Sequence, residues 1–228
     1  MHPRRPLLAR SANARRGRSG LRRGGSSRGS LVNGDRANLL VRALLRALDL
    51  YLPGSSLKAE WVAALAVGVG ERTGLSDAEL LALRVAAALH DIGKLGVPKT
   101  ILSLERPLTT KELRAVREHV LKGAQLLASL ADLEEAAPIV RHQYERPDGT
   151  GFPDELAGEA ISMGSKILAV CNAFVAMRTP QPWRDALDEE RALAELEQQA
   201  GRGYDRDAIA HLRSICGLVQ PVKWDSEP

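Results

Sequence analysis

From residue 37 onward the apolar positions recur at three- and four-residue intervals, the repeat of a helix buried along one face. Leu40, Leu44, Leu45 and Leu48 mark a first helix over 37–50, ended by Pro53 and Gly54. A second, over 57–73, presents Trp61, Ala64, Leu65 and Val69 and stops at Gly74. Ser76 and Glu79 have capping-box spacing before the run Leu80, Leu81, Leu83, Val85, Ala86 and Leu89, which predicts a third. Beyond it Gly93 permits a turn and Pro98 opens a short one through Leu102. Thr109 and Glu112 repeat the capping box before a helix expected to run unbroken to about residue 130, with the stripe Leu113, Val116, Val120, Ala124 and Leu127. A helix over 133–144, a turn-rich loop over 145–153, a helix from 161 or 164 to 177, and two last helices over 187–200 and 207–218 complete the pattern. No segment alternates apolar and polar residues over strand length, so the expected fold is all-α, a single helical domain over 37–228.

Charge changes the picture at one end. The formal net charge is +4, yet residues 1–36 hold ten arginines against the single acid Asp35, leaving 22 basic and 27 acidic residues for the rest. A mildly acidic domain therefore follows a basic tail rich in Arg, Ser and Gly, whose composition buries too little apolar surface to offset ordering. Residues 1–36 are expected to be disordered. Such a tail can touch nucleic acid or anionic lipid through phosphate charge; the plainer reading, preferred here, is a solvated leader. Cys171 and Cys216 both sit in apolar patterns and read as reduced core residues of a cytoplasmic protein. The longest uncharged apolar run, ten residues from Trp61, falls short of a membrane span.

Candidate chemistry centres on Leu89-His90-Asp91-Ile92-Gly93-Lys94-Leu95-Gly96-Val97-Pro98. His90 and Asp91 close an apolar helix, where a metal-ligand doublet aims inward, and Lys94 follows within a turn, its ammonium suited to a phosphate or a carboxylate. His119 lies beside the apolar stripe of its helix and leans the same way.

That string resembles the signature of the HD phosphohydrolase superfamily, and its Lys-x-Gly-x-Pro continuation is similar to the HD-GYP branch, bacterial phosphodiesterases of cyclic di-GMP. The likeness spans about seven-tenths of the chain. It includes Glu145-Arg146-Pro147-Asp148-Gly149-Thr150-Gly151-Phe152-Pro153, with Phe152 for the naming tyrosine, the stretch Ile167 to Met177, and the turn Gly201 to Asp205.

The resemblance implies two or three metals held by an upstream His, the His-Asp doublet, a His on the next long helix, a His-His pair and a later Asp. His90, Asp91 and His119 match ligand positions; Lys58, Gln143, Tyr144 and Asn172 stand where other ligands belong. His142 lies one position early and, on a helix, about 100° away. The family's Arg-Pro-Tyr-Arg block, whose basic residues face the dinucleotide phosphates, corresponds to Gln181-Pro182-Trp183-Arg184, which nominates Gln181, Trp183 and Arg184 as substrate contacts and Lys94 as a vestigial catalytic group. A hydrolytic centre needs about three protein ligands and an open position for water. Two donors per metal remain, so the expectation is a degenerate HD-GYP domain acting as a regulatory or binding module. No metal is expected at full occupancy, with iron or manganese as the ion if one binds. Cyclic di-GMP or another signalling protein is the expected partner. The alternatives are an active cyclic di-GMP phosphohydrolase and, more weakly, nucleic-acid binding through the tail. Lys58 is expected to project toward Asp91.

Overall fold

The computed structural model of the protein describes residues 27–180 and 184–218. Helix α2 (Ser55–Thr73) buries Ala59, Val62, Leu65, Ala66, Val69 and Gly70, a stripe at three- and four-residue spacing wide enough to take neighbours on two sides. Against it pack α1 (Ser27–Tyr51), α3 (Asp77–Leu89), α8 (Met163–Arg178) and α10 (Arg206–Ile215), with α9 (Glu189–Gln198) lying on α8 and α10. The remaining elements, α4 (Lys99–Leu102), α5 (Thr110–Arg117), α6 (His119–Ala128) and α7 (Ala137–Arg141), follow a 3-10 turn at Ile92–Gly96. Among the described residues there is no strand, only isolated bridges pairing Tyr144 with Phe152 and Ala200 with Tyr204. The fold is all-α, and none of its described helices is long and apolar enough to cross a membrane. Cys171 is buried, Cys216 half-buried, and both are free.

Both capping boxes form: Ser76 accepts from the Glu79 amide and Thr109 from the Glu112 amide, with each glutamate returning to the cap backbone. Three expectations need correction. Helix α1 begins at Ser27, so residues 27–36 continue a helix where a disordered tail was expected; no proline interrupts them, and extending an existing helix adds a backbone hydrogen bond for each residue fixed. Residues 1–26 of that tail lie outside the described residues.

The helix expected from 110 to 130 breaks at Glu118 into α5 and α6. His119 turns its Nδ1 onto the carbonyl of Val116 at 2.7 Å, an acceptor that an unbroken helix would give to the amide of residue 120. The helix expected over 133–144 is a 3-10 turn followed by α7, which stops at Arg141; Tyr144 leaves the helical path because its carbonyl accepts from the Phe152 amide at 3.2 Å.

A close approach between backbones sets the site. Gly93 lies against α6 where His119 enters, its amide near Gly123, and a Cβ there would collide with the His119 carbonyl and the Gly123 amide, both main-chain atoms. Gly93→Ala is therefore expected to cost about 1–3 kcal/mol, the range of overpacking in a tight contact, in urea denaturation. Gly96→Ala, whose methyl would meet only the flexible stem of Lys122, should stay within about 0.5 kcal/mol of wild type.

Candidate functional site

Helix α3 ends at His90, whose Nδ1–H donates to the Ala87 carbonyl at 2.8 Å and satisfies one of the carbonyls a helix end leaves open. A carbonyl can only accept, so Nδ1 carries a proton and Nε2 is the ring atom turned inward. The same logic holds for His119 on Val116. The two rings face Asp91, with His90 Nε2 at 3.4 Å from Oδ2 and His119 Nε2 at 3.7 Å from Oδ1. The structure thus brings together the three residues that match ligand positions.

The remaining partners of Asp91 are cations. Lys94 Nζ donates to Oδ2 at 2.7 Å, and Lys58, from the first turn of α2, places its ammonium 3.8 Å from the same oxygen. Lys58 projects toward the doublet, as its position opposite a buried carboxylate requires. Burial by itself would raise the Asp91 pKa; Lys94, His90 and Lys58 outweigh it and hold the carboxyl well below the usual carboxylate range. Burial lowers the Lys58 pKa, Asp91 opposes that, and Lys94 adds to it. Burial also lowers the pKa of His119 against the pull of Asp91, which keeps the ring neutral at pH 7.

Each other substituted position is tied to protein. Gln143 is buried and its amide nitrogen donates to the His90 carbonyl at 2.9 Å and the Val140 carbonyl at 3.1 Å. Asn172, inward on α8, reaches the Tyr144 hydroxyl at 3.5 Å, so two positions that the resemblance gives to metal ligands face one another. Burial, then the nearby Asp91 charge, raises the Tyr144 pKa, and the phenol stays protonated. The Tyr144 ring stands edge-on to His119, with centroids 5.7 Å apart.

Sequence reasoning missed what holds Tyr144 there. Phe152 stacks on it at 5.1 Å and 7°, and the Arg117 guanidinium covers the outer face of Phe152 at 4.8 Å. These residues lie 8 and 35 positions apart, too far for helical or strand spacing to signal. The loop between them is gathered by Glu145, which is buried and accepts from the Asp154 amide at 2.7 Å and the Leu156 amide at 3.0 Å. Gly151 passes against the backbone of Glu145 and Arg146, leaving no room for a Cβ. His142 faces away from Asp91 and contacts Asp154 at 2.9 Å, so it does not join the cluster.

The Arg184 guanidinium donates to the carbonyls of Ala176 at 2.9 Å and Met177 at 3.2 Å, capping the last turn of α8 where open carbonyls favour a cation. Gln181 and Trp183 lie outside the described residues.

The donor set does not fit the two- or three-metal centre that the resemblance implies. His90 Nε2, Asp91 Oδ1 and His119 Nε2 are buried without hydrogen-bond partners, as remnants of a ligand cluster would be. Yet among the described residues no three His, Cys, Asp or Glu side chains converge as metal ligands do. The second oxygen of Asp91 is occupied by Lys94, and two ammonium groups stand within 4 Å of it, so a divalent ion would meet repulsion.

Comparison with known proteins follows the same lines. The family model described as an HD domain matches residues 42–208. The cyclic di-GMP phosphodiesterase response regulator RpfG of Xanthomonas campestris is 34% identical over 192 residues, 80% of this chain and 51% of its own length. The 3'3'-cGAMP-specific phosphodiesterase 3 of Vibrio cholerae is 32% identical over 180 residues, 79% of this chain and 39% of its own. This chain therefore spans about half, or less, of these relatives. Among solved structures, Bd1817, an HDG"Y"P protein from Bdellovibrio bacteriovorus, overlays with a TM-score of 0.57 at 20% identity, covering 81% of this chain and 61% of that one. At that identity the likeness concerns the fold alone.

The loop that carries Tyr144 and Phe152 should respond to acid. Hydrogen bonds from Arg141 first, opposed by burial and then aided by His142, pull the Asp154 pKa from 3.8 to about 2. A depressed carboxyl stabilises the fold above its ordinary value and loses that contribution as pH falls toward the folded value. Asp154→Asn is expected to lower Tm at pH 7, with the gap from wild type narrowing between about pH 4 and pH 2.

Proposed function

The chain belongs to the HD-domain family, in its HD-GYP branch, and on that premise we propose that it is a regulatory or binding module of cyclic di-GMP signalling whose metal-dependent phosphodiesterase activity is reduced or lost. The observation that carries this reading is the occupation of Asp91 by Lys94 and Lys58. In a hydrolytic centre of this kind a bound ion lowers the pKa of a water until it attacks at neutral pH. Here the carboxylate at the heart of the ligand set already has its counter-charge from protein, and Gln143, Tyr144 and Asn172 hold one another or the backbone rather than standing open to an ion. The helices, tight glycine contacts and loop of the fold persist around them, which supports a scaffold that is useful without its metals. Lys94, spent on Asp91, serves as a counter-ion. The relatives named above are phosphodiesterases of cyclic dinucleotides, and this supports cyclic di-GMP as the ligand class.

A second reading, residual phosphohydrolase activity at a single ion, is favoured by the unpartnered Nε2 atoms of His90 and His119 and by Asp91 Oδ1. The two readings part in one experiment. After incubation with manganese or iron(II), wild type is expected to retain far less than stoichiometric metal and to release no linear dinucleotide from cyclic di-GMP. Lys58→His/Gln143→His/Tyr144→His/Asn172→Asp, which returns the family's ligands, is expected to gain bound metal. Stoichiometric metal in wild type, with turnover abolished by His90→Ala/Asp91→Ala, would overturn the inactive reading.

A further inference from the structure

Beside the Asp91 cluster lies a cavity of about 330 Å³, at the small end of ligand-binding pockets. Three cations line it, Lys58, Arg117 and Arg146, against one carboxylate, Glu145. That carboxylate is already engaged, one oxygen on the Asp154 amide and the other on the Leu156 amide. The buried Arg146 Nε makes no hydrogen bond but stands 3.6 Å from Asp148, within ion-pair reach. Tyr144, Phe152 and Tyr204 add aromatic side chains to the lining, with Phe152 itself between Tyr144 and Arg117. The lining therefore carries more positive than negative charge, although each cation has a neighbour of its own: Asp91 for Lys58, the Phe152 ring for Arg117 and Asp148 for Arg146.

Lys58 is the hinge between this cavity and Asp91. Lys94 donates to Asp91 Oδ2 at hydrogen-bond length, 2.7 Å, whereas Lys58 stands at 3.8 Å from that oxygen, within ion-pair reach but too far to donate. One carboxylate thus faces two ammonium groups, and Lys58 is the one that also lines the cavity. An ammonium carries three N–H donors on a flexible stem. An anion entering the cavity finds those donors without having to break the tighter Lys94 pair.

Resting on the reading that the metals are lost, we infer that Lys58 acts as a built-in cation, binding the phosphodiester of a nucleotide directly in the cavity with Arg117 and Arg146, so that ligand recognition here needs no metal. Lys58 occupies the position that the resemblance gives to a metal ligand, and its ammonium takes over a charge that an ion would supply to the phosphate. No bond is made or broken. The ligand leaves unchanged.

Calorimetric titration of the whole chain with cyclic di-GMP in EDTA tests this. The expected result is binding whose affinity is unchanged by replacing EDTA with manganese, falls as salt rises, and weakens about tenfold in Lys58→Gln, the loss of roughly one charge-assisted hydrogen bond. Lys58→Arg, which keeps the charge, should retain most of the affinity, and Arg146→Gln provides an independent weakening should Lys58→Gln fold poorly. Salt dependence of the wild type needs no variant. Binding in EDTA that Lys58→Gln and Arg146→Gln leave unaltered, or no binding of cyclic di-GMP, would overturn the inference while leaving the metal-free reading intact. Binding seen only with manganese and accompanied by hydrolysis would overturn both.

Discussion

A carboxylate buried among helices must be matched by positive charge, and that requirement at Asp91 organises the rest of the site. Desolvating an ion costs several kcal/mol even after the protein relaxes, so Asp91 persists as an anion because Lys94, His90 and Lys58 outweigh its burial. In a metal-dependent relative the counter-charge would come from an ion. Here two side chains supply it, one from the turn after the doublet and one from the start of α2.

The scaffold that presents Asp91 is held by contacts of a different kind. The 3-10 turn after the doublet approaches α6 so closely that Gly93 has no room for a side chain, which brings His119 against Asp91. At its far end the turn is fastened to α1 by the Tyr51 hydroxyl, which donates to the Val97 carbonyl at 2.7 Å. On the other side, Arg117, Phe152, Tyr144 and His119 form a continuous stack from the surface to the buried ring. An offset or edge-on aromatic pair contributes about 0.5–1.5 kcal/mol beyond its burial, so the stack gives Tyr144 a fixed position without any ligand.

Much of this was legible in the sequence because it is local. Capping residues, glycine stops and apolar spacing act over three or four positions, and they placed α2, α3 and the start of α5 to within a few residues. The opposition of Lys58 and Asp91 was also legible, since a cation at a vacated cation position has an obvious partner. What escaped depends on neighbours distant in the chain. His119 breaks its own helix by taking a carbonyl, and spacing cannot foresee that competition. Helix α7 ends at Arg141 and Tyr144 beyond it pairs with Phe152, so helical rotation does not fix where His142 points. The capping of α8 by Arg184 escaped for the same reason, since its carbonyl partners lie seven and eight positions back.

Thermal unfolding of wild type with EDTA, compared with millimolar manganese, tests most directly whether lysine has replaced metal at Asp91. A folded-state site at a hundredfold excess of ion over its Kd would add about 2.7 kcal/mol, or roughly 5–10 °C in a domain of this size. The result expected is the same Tm under both conditions. A rise in Tm that grows with manganese concentration, and disappears in His90→Ala/Asp91→Ala, would contradict it.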